Sequence, residues 1–330
     1  MYLRNFISMN DVSEVGLREL LRLSKELKDK LKNHESHRRL EGKTLAMIFE
    51  KPSTRTRVSF ETGMYQLGGH ALYLSASDLQ LGRGETIEDT ARVLSGYVDC
   101  IMARTFKHET VVKLAESASV PVINGLSDLE HPCQILADLL TIQEEKGDFK
   151  GLKIAYIGDG NNVAHSLMLG CAKLGMSVSV AAPKGYAPDS EIAKLSHKEA
   201  ERHGAFVEIT TDPGKAASQA DVLYTDVWVS MGQDKEKAKR LKVFKPFQIN
   251  EKLFKKAKPD CIVLHCLPAH RGLEITGEVM DGMRSRIFQQ AENRLHSQKA
   301  LLVTLVMPVK RESLENQGGK VALMFHGQTD

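Results

Sequence analysis

Long apolar runs are missing from this chain. Nowhere do its 330 residues carry the roughly 18 consecutive apolar side chains of a membrane helix, so the sequence predicts no such span. The N-terminal stretch MYLRNFISMNDVSE turns polar too soon for the apolar core of a secretory signal. Cysteine is sparse and odd in number: Cys100, Cys133, Cys171, Cys261 and Cys266, with no CxxC pair. That spacing argues against a disulfide framework and a zinc site, and predicts a reduced, cytoplasmic protein. Charge of one sign is also lacking. A net +3 is too small to argue for a nucleic-acid or membrane surface. No internal repeat is found. What remains is 42% hydrophobic and 26% charged residues, the composition of a globular protein, at a length that favours two domains.

Short apolar runs alternate with helical patterns, as in parallel sheets built from βα units. Expected strands cover 44–49, 70–74, 100–102, 120–123, 152–157, 177–181, 205–209, 222–224 and 261–265. Expected helices cover 53–66, 86–96, 108–117 and 132–146, after a first helix capped by Asn10 or Asp11 and striped with Leu17, Leu20, Leu23, Leu27 and Leu31. The polar EEKGDFKG stretch marks the best boundary. The predicted architecture is α/β: two similar domains, each a parallel sheet flanked by helices, over 1–147 and 148–290. A segment 291–330 follows, whose helix (292–306) crosses back to the first domain. The tail after Met307 fits no periodicity.

The chemistry-bearing residues fall where strands end. In EKPSTRTRVSFE (50–61), an apolar strand runs into a helix starting near Ser53. Free N–H groups and the macrodipole favour an anion there. Ser53, Thr54 and Thr56 add hydroxyls, and Arg55 adds a planar fork suited to phosphate oxygens. A cap alone needs one hydroxyl, so the surplus points to phosphate. Arg104 closes another strand, where open α/β sheets bind ligands. In HPCQ, His131 can donate to a carbonyl and Gln134, one turn later, can accept from an amide. The GDGNN stretch (158–162) invites a dinucleotide reading, but Val163 stands where a third glycine belongs and no acid closes the next strand. Its asparagines suit a carboxylate instead. In DVWVSMGQ, Asp226 and Ser230 can hold an ammonium group. HCLP places Cys266 just past a strand, where a buried small hydrophobe and a working thiol are both open readings. AENR puts Arg294 on the last helix.

Taken jointly, STRTR, HPCQ, GDGNN, DVWVSMG, HCLP and AENR resemble the aspartate/ornithine carbamoyltransferase family over about residues 1–306, with DxxxSMG and HCLP marking its ornithine branch. The resemblance implies an active site in the cleft between the domains, a homotrimer or a multiple of it, and no metal or organic cofactor. Ser53, Thr54, Arg55 and Thr56 would take the phosphate of carbamoyl phosphate. Arg104, His131 and Gln134 would face its carbonyl and carbamoyl group, and Arg294 would help hold it. Gln80, in LQLGRGE, would be lent to a neighbouring subunit's site. Asn162, Asp226, Ser230 and Met231 would bind the amino-acid end of ornithine, with Cys266 and the Leu267 carbonyl at its δ-amine. Cys266, as a thiolate coupled to Asp226, would accept the proton. Transfer to aspartate, putrescine or acetylornithine, and a non-catalytic protein of the same fold, are the competing readings.

Overall fold

The computed structural model describes residues 3–77, 79, 84–230 and 232–307. Gln80, Met231 and the tail after Met307 lie outside them.

Strands β1 (Thr44–Phe49), β2 (His70–Ser75), β3 (Cys100–Arg104) and β4 (Val122–Leu126) form one parallel sheet in the order β2-β1-β3-β4. β1 and β3 read as continuous apolar runs because both of their faces are covered, whereas edge strand β2 is partly exposed along its length. Helices α2 (Thr54–Gln66), α3 (Ile87–Ser95) and α4 (His108–Ser117) make the crossovers. α1 (Glu14–Lys32) precedes β1. Its N-cap is Ser13, whose Oγ accepts from Gly16 N at 3.1 Å. Asn10 and Asp11, expected as caps, instead belong to a short 3₁₀ turn capped by Ser8. The apolar stripe of α1 gave no register for its start, and the serine hydroxyl decided it.

After α5 (Pro132–Lys146) a second parallel sheet has the order β7-β6-β5-β8-β9, from β5 (Lys153–Ile157), β6 (Ser177–Ala181), β7 (Val207–Thr210), β8 (Val222–Thr225) and β9 (Ile262–His265). Its helices are α6 (Asn162–Lys173), α7 (Ser190–Arg202), α8 (Pro213–Ala217), α9 (Lys237–Phe244), α10 (Glu251–Phe254) and α11 (Gly277–Met280). The last helix, α12 (Ile287–Val306), packs on α5, α1 and α2, as the return to the first half requires. It starts at Ile287, so the expected boundary at 290 falls inside it. A buried tie holds the crossing. Lys28 of α1 donates to Glu144 of α5 at 2.8 Å and to Asn293 of α12 at 2.7 Å, while Asn293 donates to Thr141 at 2.9 Å.

α5 is buried on all sides through Ile142, which marks a central helix rather than a surface one. α6 approaches it closely at Gly170, where a Cβ would lie 2.8 Å from the Ile135 side chain. The apolar core is therefore continuous between the two sheets, running from Met47 and Met102 through Ile135 and Leu139 to Leu167 and Tyr224. In each sheet the order of strand addition reverses beside its first strand, between β1 and β3 and between β5 and β8. Crevices beyond the strand ends form at such switch points, and the two crevices face one another here.

Candidate active site

A cleft of about 800 Å³ lies between the two sets of strand ends. Its first wall is built from the N-terminus of α2 and the end of β3. Ser53 is extended and caps α2, accepting from Thr56 N at 3.3 Å. Ser53, Thr54, Arg55 and Arg104 line the cleft with His131 and Arg294. Lys51, not singled out in the sequence, joins them; burial first, and then Arg104, lower its pKa.

Two expected contacts lie behind this surface. Thr56 is fully buried, and its Oγ1 accepts from Arg294 Nη2 at 3.0 Å and from Ser53 Oγ at 3.1 Å. Gln134 is also buried; its Oε1 accepts from Arg294 Nη1 at 2.8 Å. Both side chains hold Arg294 in place rather than lining the cleft. That arginine sits on α12, far along the chain, so local sequence could not reveal the pairing.

The wall carries strong positive potential. Arg55, Arg104 and Arg294 have no carboxylate within ion-pair distance among the described residues. Burial, then Arg294 and Arg55, push the Arg104 guanidinium down to about 9. Burial, with Arg294 and Arg104 next, holds the His131 imidazole well below its usual range, so the ring is neutral. Arg294 Nη1 points at His131 Nε2 at 3.5 Å. A guanidinium only donates, so Nε2 accepts and the proton belongs on Nδ1. That Nδ1, Arg104 Nε and Arg294 Nε are buried with no protein partner among the described residues. Donors left so at a buried site call for an anionic or carbonyl acceptor.

The second wall is assembled from the ends of β5, β8 and β9. Asp226 follows β8. Its Oδ1 accepts from Cys266 Sγ at 2.9 Å and Val227 N at 2.8 Å, and its Oδ2 accepts from Asn161 Nδ2 at 2.8 Å. Asn161, read from the sequence with its neighbour as suited to a carboxylate, also caps α6 by accepting from Val163 N and Ala164 N. Asn162 lines the cleft, and its Nδ2 donates to Ser127 O at 2.6 Å, from the opposite half. Ser230 lines the cleft too, with its N–H donating to Gln233 at 2.9 Å.

Cys266 is a thiol. Burial first, then the negative charge of Asp226, raise its pKa well above the ordinary value, so the expected thiolate is not formed beside that carboxylate. Leu267 occupies the left-handed region at φ 58°, which turns its carbonyl toward the first wall. There it accepts from Arg55 Nη2 at 2.7 Å, so the carbonyl expected at an amine is bonded across the cleft to the arginine expected at a phosphate. Ligand atoms of Asp226, His265 and Cys266 lie within 4.8 Å of one another. His265 Nδ1 accepts from Leu267 N at 2.9 Å and Nε2 faces Glu274 at 3.2 Å, so both ring nitrogens are engaged in holding the loop.

Gly160 of the GDGNN stretch is committed to packing. At Gly160 a Cβ would fall 2.2 Å from Pro188 N, where the chain crosses over the turn. The glycine that a dinucleotide would need for close approach is covered by this chain's own backbone. Gly160→Ala is expected to cost about 1–3 kcal/mol by overpacking; denaturant unfolding with an unchanged midpoint would refute it. In a second crevice Arg18 is paired with Glu14 and Asp148.

Two family models match in succession. "Aspartate/ornithine carbamoyltransferase, carbamoyl-P binding domain" covers residues 4–144, and the "Asp/Orn binding domain" of the same family covers 150–305. The chain is 62% identical to the ornithine carbamoyltransferase of Anoxybacillus flavithermus, over 92% of this chain and 96% of that one. It is 58% identical to that of Bacillus subtilis, over 96% and 97% of the two chains. The solved ornithine carbamoyltransferase of Pyrococcus furiosus superposes with a TM-score of 0.91 at 56% identity, over 93% of this chain and 98% of the other.

Proposed function

This chain belongs to the aspartate/ornithine carbamoyltransferase family, and from that premise we propose that it transfers the carbamoyl group of carbamoyl phosphate to the δ-amine of L-ornithine, giving L-citrulline and phosphate, a step of arginine biosynthesis. The observation that carries the reading is a cleft with one wall of guanidiniums lacking carboxylates and another wall centred on Asp226 and Cys266. The first wall suits a dianionic acyl donor, and the second suits a cationic amino acid. A dicarboxylic acceptor would meet Asp226 instead of a cation, which disfavours aspartate.

Carbamoyl phosphate would place its phosphate at Ser53, Thr54, Arg55 and the start of α2, with its carbonyl toward Arg104 and His131. Arg294 would bind alongside, held by Thr56 and Gln134. The neutral amine nitrogen forms the C–N bond and the guanidiniums stabilise the oxyanion. The C–O bond to phosphate then breaks and phosphate leaves with the electron pair. The surplus N–H proton passes to Cys266 Sγ as the thiol proton passes to Asp226, a relay that needs no free thiolate. Asn162 and Ser230 would hold the amino-acid end, and closure of the loop after Asp226 would exclude water. Residues 1–147 and 148–290 would serve as the carbamoyl-phosphate and ornithine domains. A cytoplasmic homotrimer, or a multiple of it, is inferred from the family. Exposed Tyr65, Leu72 and Tyr97, all from the first half, are surface that such association would cover. Sedimentation at a monomer mass would reject the trimer.

Steady-state assays with carbamoyl phosphate and a panel of amines test the acceptor. Citrulline from ornithine alone is expected; turnover of aspartate or putrescine in its place would reverse the assignment. The pH profile tests the chemistry. Free ornithine loses its δ-ammonium proton near pH ~10, so kcat/KM for ornithine should rise with pH through about 9. His131 is neutral throughout, so no limb should appear near its ordinary value. An ascending limb near pH ~6.5 that disappears in His131→Asn would show that the imidazole titrates after all.

A further inference from the structure

Behind both walls stands a side chain that the proposed chemistry does not use. Asp138, on α5, is fully buried. Its Oδ1 accepts from Gln134 Nε2 at 2.8 Å and from Gln290 Nε2 at 2.6 Å. The Tyr224 hydroxyl also bears on this carboxylate. An oxygen that receives two amide N–H groups fixes the orientation of both amides. The carbonyl of Gln134 must then point away, and it accepts from Arg294 at 2.8 Å. The carbonyl of Gln290 must do the same, and it accepts from His265 N at 2.9 Å, one residue before Cys266. Gln290 also donates to the Tyr224 hydroxyl at 3.1 Å, on β8, two residues before Asp226.

We infer that Asp138 is a positioning residue that sets both walls at once, Arg294 through Gln134 and the strand end bearing Cys266 through Gln290. The inference rests on the assignment of carbamoyl phosphate to the first wall and ornithine to the second. No other described carboxylate bonds to either glutamine. The placement carries a cost that packing alone would not require. Burial pushes the Asp138 carboxyl up to about 7, against the pull of Gln290 and Gln134. A leucine would fill the same volume without that penalty. The acceptor oxygen is the feature retained.

Four variants separate the branches, with carbamoyl-phosphate Kd and ornithine kcat/KM at saturating carbamoyl phosphate as readouts. Gln134→Leu should weaken carbamoyl-phosphate binding by about 10-fold, a larger loss than in the ornithine parameter. Gln290→Leu should do the reverse. Asp138→Leu should lose about 10-fold or more in both, and Asp138→Asn, which keeps one acceptor oxygen, should restore both to within about 3-fold. A folded Asp138→Leu enzyme with wild-type values in both readouts, or an Asp138→Asn enzyme as impaired as the leucine variant, overturns the inference. If Asp138→Leu does not fold, Asp138→Ala decides by the same two readouts: a loss in both supports the shared hub, and wild-type values in both reject it. Arg294→Leu guards the underlying assignment: unchanged carbamoyl-phosphate affinity there would mean that the substrate wall, rather than the hub, is misassigned.

Discussion

Arg104→Leu is expected to give a protein harder to unfold and almost unable to turn over. Arg104 is buried beside Arg55 and Arg294 with no carboxylate partner among the described residues. Its pKa falls to about 9, mainly by burial and then by the two like charges. A cation whose folded pKa lies below its unfolded value costs stability at all pH below the folded one. That cost fades as pH rises above about 9 toward the ordinary guanidinium value. At neutral pH the whole penalty is present, so leucine removes it. Each ~1 kcal/mol recovered should raise Tm by roughly 2–4 °C. Catalysis moves the other way. A donor aimed at charge that develops during acyl transfer is worth about 10²–10³ in rate, so kcat/KM for carbamoyl phosphate should fall by about that factor. Phosphate, which should raise the wild-type Tm by mass action, should raise that of the variant much less. A lower Tm, or wild-type turnover, would refute the account. The site is a case of stability given up for a local charge that only its ligand compensates.

Asp226→Asn should remove most turnover while sparing the donor substrate. Both carboxylate oxygens accept: Oδ1 from Cys266 and Val227 N, and Oδ2 from Asn161. An asparagine must turn an NH₂ group toward one of these donors. The less costly choice sets it against Asn161 Nδ2. Asn161 cannot simply flip, because its Oδ1 caps α6 through Val163 N and Ala164 N. The variant therefore loses the terminal proton acceptor and the bond from Asn161, while its remaining oxygen still accepts from Cys266. Proton-transfer groups contribute about 10²–10⁴ in rate, and ornithine kcat/KM should fall by about 10³. Carbamoyl-phosphate Kd, set by the opposite wall, should stay within about 2-fold, the residue having no bond there. Cys266→Ala should show the same split more mildly, because it leaves Asp226 in place. Equal losses in donor affinity and turnover for either variant would take the pair out of the proton path.

Much of the arrangement was legible in the chain because its signals are local. A run such as 45–49, apolar throughout and followed by Pro52 and Ser53, specifies a buried strand and a capped helix start within a dozen residues. Ser177–Ala181, His108–Ser117 and Pro132–Lys146 begin and end where periodicity and punctuation place them. Helices α7 to α11 were not placed from the sequence; α8, α10 and α11 are too short to carry a periodic signal. Strand ends position side chains at a sheet's edge, so Arg104, Asp226 and Cys266 announced themselves by place as much as by type.

By itself, the sequence determined the alternation of strands and helices, the strand-end placement of the reactive residues and the excess of donors at Ser53–Arg55. Each of these follows from neighbours a few positions apart. The tertiary structure alone decided that Thr56 and Gln134 turn inward to hold Arg294, that Arg55 reaches the Leu267 carbonyl, that Cys266 keeps its proton and that Asp138 joins the two walls. The reason is physical. Those properties depend on burial and on hydrogen-bond partners brought together from distant parts of the chain, and neither the field at a buried thiol nor the polarity of a buried amide is written in local pattern.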